Sequence, residues 1–100
     1  MMRHKFNAVR TEVDGIKFHS KKEASFYNLL RTLQKSGEIF FFLRQVPIHL
    51  PGGVVYRVDF VTFDADGSVH FIDVKGFKTS DYKMKKKMVE AMYPIAIEER

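Results

Sequence analysis

A short turn, Asp64-Ala65-Asp66-Gly67, stands between two apolar stretches and pins how this chain can fold. The stretches from about Val55 to Phe63 and from about Ser68 to Lys75 are rich in Val, Phe, Ile and Tyr, so the spacing predicts two strands joined as an antiparallel hairpin. A three-residue loop Ala65-Asp66-Gly67, with Gly67 in the left-handed region forming a bulge, pairs Asp64 with Ser68. The register then sets Phe63 against Val69, Val61 against Phe71, and Asp59 against Asp73. Two carboxylates meet across the ladder.

Directly opposed strand residues have Cβ atoms about 4.5 to 5.5 Å apart, and like charges at that spacing destabilise a sheet. A divalent cation reverses the sign, since Mg²⁺ prefers hard oxygen ligands and is commonly held by one or two carboxylates with water and phosphate. Strand alternation puts Lys75 on the face of Asp73, while Val74 points away and offers its backbone carbonyl. Ordinary ion pairs of Asp59 and Asp73 with Arg57 or Lys75 are the alternative reading.

Ser20 stands at a helix N-cap, and Glu23 three residues on completes a capping-box pattern. A helix from about Lys21 to Lys35 follows, stopped by Ser36-Gly37. Glu23, Phe26, Tyr27, Leu30 and Leu33 share one stripe of it, so a charge heads an apolar face. If that face packs on the sheet, Glu23 is delivered toward Asp59 and Asp73; a purely capping role is the alternative. Before this helix, Asp14-Gly15 predicts a hairpin over about Ala8 to Phe18. After it, Ile39 to Leu50 reads as a strand, bent or bulged near Pro47, ended by Pro51-Gly52-Gly53. Ser80 caps a second helix carrying Tyr82, Met84, Met88, Val89 and Met92, with Pro94 past its end, and Ile95-Ala96-Ile97 reads as a last strand. The order is helix, three strands, helix, strand: an α/β arrangement around a small mixed sheet, with an amino-terminal hairpin.

One hundred residues suit one compact domain. A net charge of +5 and a pI of about 9.6 favour a polyanionic partner. The absence of Cys removes disulfides and thiolate metal sites and fits a reducing compartment, the cytoplasm. No apolar run is long enough to predict a membrane span. His4, His19, His49 and His70 are scattered without zinc-ligand spacing. The Asp64 to Gly67 turn is too short for a calcium loop, which spans about twelve residues.

Asp59 followed by Asp73-Val74-Lys75 resembles the signature of the PD-(D/E)XK, or restriction-endonuclease-like, nuclease superfamily, with Val58 in the place of its Pro. The element order resembles that family's core, and Glu23 occupies the place of the acidic residue its first helix often contributes. Val13-Asp14-Gly15-Ile16-Lys17-Phe18, Ser20-Lys21-Lys22-Glu23-Ala24 and Asp73-Val74-Lys75-Gly76 look like small phage-encoded nucleases similar to the archaeal-type Holliday junction resolvases. The resemblance implies a Mg²⁺-dependent DNA endonuclease, Mn²⁺ able to substitute, acting on branched or four-way junction DNA. It implies that Asp59, Asp73 and the Val74 carbonyl bind the metal, with Glu23 holding a metal-bound water or a second ion. Lys75 orients or deprotonates water or neutralises charge at the phosphate, and its acidic neighbours favour the electrostatic role.

Lys21 and Lys22 open one helix, and Lys83, Lys85, Lys86 and Lys87 crowd the other, as candidate phosphate contacts. Solvated helical faces are the ordinary alternative. Gln45 is a further candidate from its strand position. Paired cuts across a symmetric substrate imply a two-fold homodimer. Phe40, Phe41, Phe42 and Leu43 offer an apolar interface, or else a strand buried on both faces. Rival functions are a non-catalytic DNA-binding accessory of recombination or replication, and a nuclease for nicking, end processing or restriction.

Overall fold

The computed structural model describes residues 11–74 and 76–100. Asp14 and Gly15 both take positive φ, 53° and 76°, as a two-residue type I′ hairpin turn requires. Strands β1 (Thr11–Val13) and β2 (Ile16–Phe18) pair antiparallel on either side of it. Residues 8–10 of the expected hairpin lie outside the described residues.

Helix α1 (Lys21–Lys35) begins where the Ser20 hydroxyl accepts the Glu23 N–H at 3.1 Å, and Gly37, with φ 86°, follows its C-cap. Its buried residues are Glu23, Ala24, Tyr27 and Leu30. The hairpin is clipped to this helix, since the Tyr27 hydroxyl and the Arg31 guanidinium both donate to Asp14 Oδ2, at 3.0 and 2.6 Å. Phe18 packs on the Tyr27 ring at 5.1 Å between centroids.

Strands β3 (Ile39–His49), β4 (Val55–Asp64), β5 (Val69–Asp73) and β6 (Ile97–Glu99) form one sheet in that order. The first three are antiparallel, and β6 runs parallel to β5. A parallel neighbour needs a crossover, which helix α2 (Ser80–Met92) supplies. Adjacent residues on the central strands enter different cores: Phe60 and Ile72 join the cluster of α1 and Phe18, while Val61 and Phe71 join that of α2. The sheet is therefore covered on both faces. Among the described residues, no helix is long and apolar enough to cross a membrane.

The β4–β5 turn follows the expected geometry. Gly67 has φ 92°, the Asp64 N–H donates to the Ser68 carbonyl at 2.9 Å, and Phe63 pairs with Val69 and Val61 with Phe71. Other expectations need correction. The third strand spans Val69–Asp73, so it begins after Ser68 and has ended by Val74. The irregularity of β3 falls between Ile39 and Phe41, with a positive φ at Gln45, whereas Pro47 pairs regularly with Arg57, as an edge strand permits. Phe40, Phe41 and Leu43 are exposed and only Phe42 of that run packs inward, because β3 is an edge strand rather than a central one. Thr79, not Ser80, caps α2, its hydroxyl accepting the Tyr82 N–H at 3.0 Å. Met84 and Met92 are exposed, leaving Tyr82 and Val89 as that helix's buried residues. The last strand starts at Ile97, where the Glu90 carboxylate catches its N–H at 2.7 Å.

Candidate functional site

The β4–β5 ladder gives its last paired residues at Phe60 and Ile72, one step short of Asp59 and Asp73. Side chains take over there. Asp73 Oδ1 accepts the Asp59 N–H at 2.9 Å, and Asp59 Oδ2 accepts the Val74 N–H at 2.9 Å. The carboxylates thus stand in for ladder carbonyls and satisfy amide groups that the parting strands would otherwise strand. The expected Asp59–Asp73 ladder pair does not form, because the strands part there; each carboxylate instead accepts a backbone N–H of the opposite segment.

Asp73 is fully buried, and its Oδ2 accepts a hydrogen bond from the Tyr56 hydroxyl. Burial, reinforced by the hydrogen bond to Asp73 and its charge, pushes the Tyr56 hydroxyl well above its ordinary range, so it stays a donor. Behind it the Tyr82 ring lies 6.1 Å away between centroids, with its hydroxyl donating to Glu99 Oε2 at 2.8 Å.

Glu23 approaches from the first turn of α1 and is 5% exposed. Ser20 caps the helix through the Glu23 N–H, while the Glu23 carboxylate turns to the sheet. There Gln45 Nε2 donates to Glu23 Oε2 and to Asp59 Oδ1, both at 3.2 Å. The pairs Arg44–Phe60 and Val46–Val58 flank Gln45, which places it across from Asp59.

Glu23, Gln45, Asp59, Asp73 and the Val74 backbone therefore form one hydrogen-bonded network. Lys75 lies outside the described residues. Among the described residues, no three His, Cys, Asp or Glu side chains are grouped to hold a metal ion as they stand. The network's donor set is nonetheless one of hard oxygens, the chemistry that suits Mg²⁺.

A family model described as "Protein of unknown function (DUF1064)" matches residues 3–97. The chain belongs to the DUF1064 family. No curated protein and no solved structure matches it. The DUF1064 match takes in every residue of the network and Lys75.

In this DUF1064 chain Lys21 and Lys22 are exposed beside Glu23 at the head of α1. Lys83 and Lys87 are also exposed, but Lys85 pairs with Asp81 at 3.2 Å and Lys86 with Glu90 at 3.4 Å, along the helix itself. Tyr56 was not singled out by its sequence. The available signal was a tyrosine in step with the apolar Val58 and Phe60 on the same strand, since a buried phenol needs a partner for its hydroxyl. A cavity of about 450 Å³ lies away from the network, between Leu29 and Leu33 of α1 and Asp64, Asp66 and His70 of the β4–β5 hairpin.

Proposed function

We propose that this chain is a Mg²⁺-dependent endonuclease that hydrolyses phosphodiester bonds of DNA, with branched or four-way junctions as its substrate. Glu23, Asp59, Asp73 and Lys75 are its acting groups. The observation that carries this reading is the meeting of Glu23 and Asp59 on one Gln45 amide, with Asp73 braced against Asp59. A helix start and three strands converge there, and separate sequence patterns point to each acid. The sheet order, three antiparallel strands and one parallel strand after a crossover helix, supports a restriction-endonuclease-like core.

Asp59, Asp73 and the Val74 carbonyl supply hard oxygens for the metal, and Glu23 adds a carboxylate on the Asp59 side that would hold the ion or its water. Bound Mg²⁺ supplies Lewis acidity at the scissile phosphate and lowers the pKa of water; Mn²⁺ serves in its place. Tyr56 fixes the Asp73 carboxylate so that its direction survives substrate entry. Lys75, two residues beyond Asp73 in the signature, neutralises charge that develops on the phosphate. Lys21 and Lys22, exposed beside Glu23, hold the DNA backbone, with Lys83, Lys85, Lys86 and Lys87 as further contacts. Paired cuts require two copies, and the exposed Phe40, Phe41 and Leu43 on edge strand β3 are the surface for a two-fold homodimer. The protein acts in the cytoplasm.

One observation favours a second reading, a DNA-binding accessory without catalysis. All four oxygens of Asp59 and Asp73 accept hydrogen bonds from the protein, as structural carboxylates do. Incubating the full chain with linear duplex, flap and four-way junction DNA separates the readings. The nuclease cuts the junction with Mg²⁺ and not with EDTA. Salt-sensitive binding with no cut on any substrate contradicts it and favours the accessory, while preferred cutting of the flap or linear duplex contradicts the junction substrate.

A further inference from the structure

Gln45 takes φ 51° in the middle of an 11-residue strand, a left-handed conformation that is unfavourable for a side chain of its kind. The strand changes faces there. Phe42 packs in the α1-side core and the Arg44 guanidinium lies 4.7 Å over the Phe18 ring, whereas Val46 and Ile48 belong to the α2-side core. Strand β4 makes the same change across from it, with Phe60 on the α1 side and Val58 and Tyr56 on the α2 side of Asp59. Both strands roll over at the Gln45–Asp59 position, and the roll aims the Gln45 carboxamide at Glu23 and Asp59.

A carboxylate only accepts hydrogen bonds, so the nitrogen end of the carboxamide must face the two acids. Glu23 Oε2 and Asp59 Oδ1 each lie 3.2 Å from that one nitrogen. A neutral donor with two protons therefore occupies the point where two buried acids converge, the point at which a cation would balance both. We infer that Gln45 is an internal stand-in for the divalent cation. Without the ion its amide holds Glu23 and Asp59 together; when the ion enters, the amide nitrogen leaves both carboxylates. This rests on the metal-centre reading above and makes Gln45 a positioning residue rather than a catalytic one.

The test uses the full chain without DNA. Gln45→Met keeps the length of the side chain and removes the donor. Its thermal midpoint in EDTA falls below that of wild type, and Mg²⁺ raises it by more than it raises wild type. Calorimetric titration shows Mg²⁺ binding to Gln45→Met about threefold or more tighter, because no fraction of the protein is held in the closed arrangement. Weaker Mg²⁺ binding would make Gln45 a ligand, and an equal loss of stability with and without Mg²⁺ would make it a strand support; either overturns the inference. Should Gln45→Met fail to fold, heteronuclear NMR of the wild-type Gln45 side-chain amide decides. Its protons are protected from exchange in EDTA and lose that protection as Mg²⁺ saturates, and an unchanged signal at saturation overturns the inference. A wild type that shows no response to Mg²⁺ by either method takes the metal centre down as well; a normal wild-type response with unchanged or weakened binding by Gln45→Met sinks the stand-in role alone.

Discussion

His70 lies between two acids on the β5 surface, with Nδ1 2.5 Å from Glu98 Oε2 and Nε2 3.3 Å from Asp64 Oδ2. The hydrogen bond to Glu98, against a smaller opposing effect of burial, raises its pKa above the ordinary 6.5. A group whose pKa is raised on folding stabilises fully below its unfolded value and ceases to as pH climbs through the folded one. The thermal midpoint of wild type should therefore exceed that of His70→Gln below about pH 6.5, and the gap should close as the solution is made alkaline. The gap is small, because the side chain is 36% exposed and solvent screens the pair. A gap that widens with rising pH would contradict this assignment. At the same scale, Glu23 was legible in the sequence because the helix period fixes its face, and the approach of Asp59 to Asp73 because the Gly67 turn sets the register. The strain at Gln45 was not, since a positive φ on a non-glycine residue is imposed by the strands' change of face and not by residue type.

Elements with explicit start and stop chemistry were the easiest to read. The Ser20 cap, the Asp14-Gly15 turn and the Gly67 bulge each appear where residue type alone puts them, and the register of β4 on β5 follows from the last of these. The errors fall where packing decides. The Phe40 to Leu43 run carries no mark of whether its strand is central or at an edge, and β6 begins where Glu90 and the β5 edge catch it rather than where apolar residues begin. The cap of α1 also orients the first turn that carries Glu23. Ser20→Ala should lower stability by about 1 kcal/mol, read as a shifted urea midpoint at unchanged slope. It should also slow cleavage. An unshifted midpoint would show that the cap contributes nothing to holding Glu23 in place.

The chain carries an excess of five positive charges, and the acids Glu23, Asp59 and Asp73 are buried. That contrast suits a surface that attracts phosphates and an interior that holds a cation. DNA affinity should fall linearly in log–log form with salt, and the Lys21→Ala, Lys22→Ala double variant should flatten the slope by about one for each lysine that meets a phosphate. An unchanged slope would move the DNA-binding face elsewhere. On the proposed reading, the acids beneath that surface perform hydrolysis. Its most direct test is single-turnover cleavage of a four-way junction in Mg²⁺ by wild type, Asp73→Asn and Lys75→Ala, with DNA binding measured on the same samples. Wild type should cut, while both variants should bind with near-normal affinity and leave the junction intact. Cutting at the wild-type rate by Asp73→Asn, or none by wild type that is folded and bound, would contradict that reading.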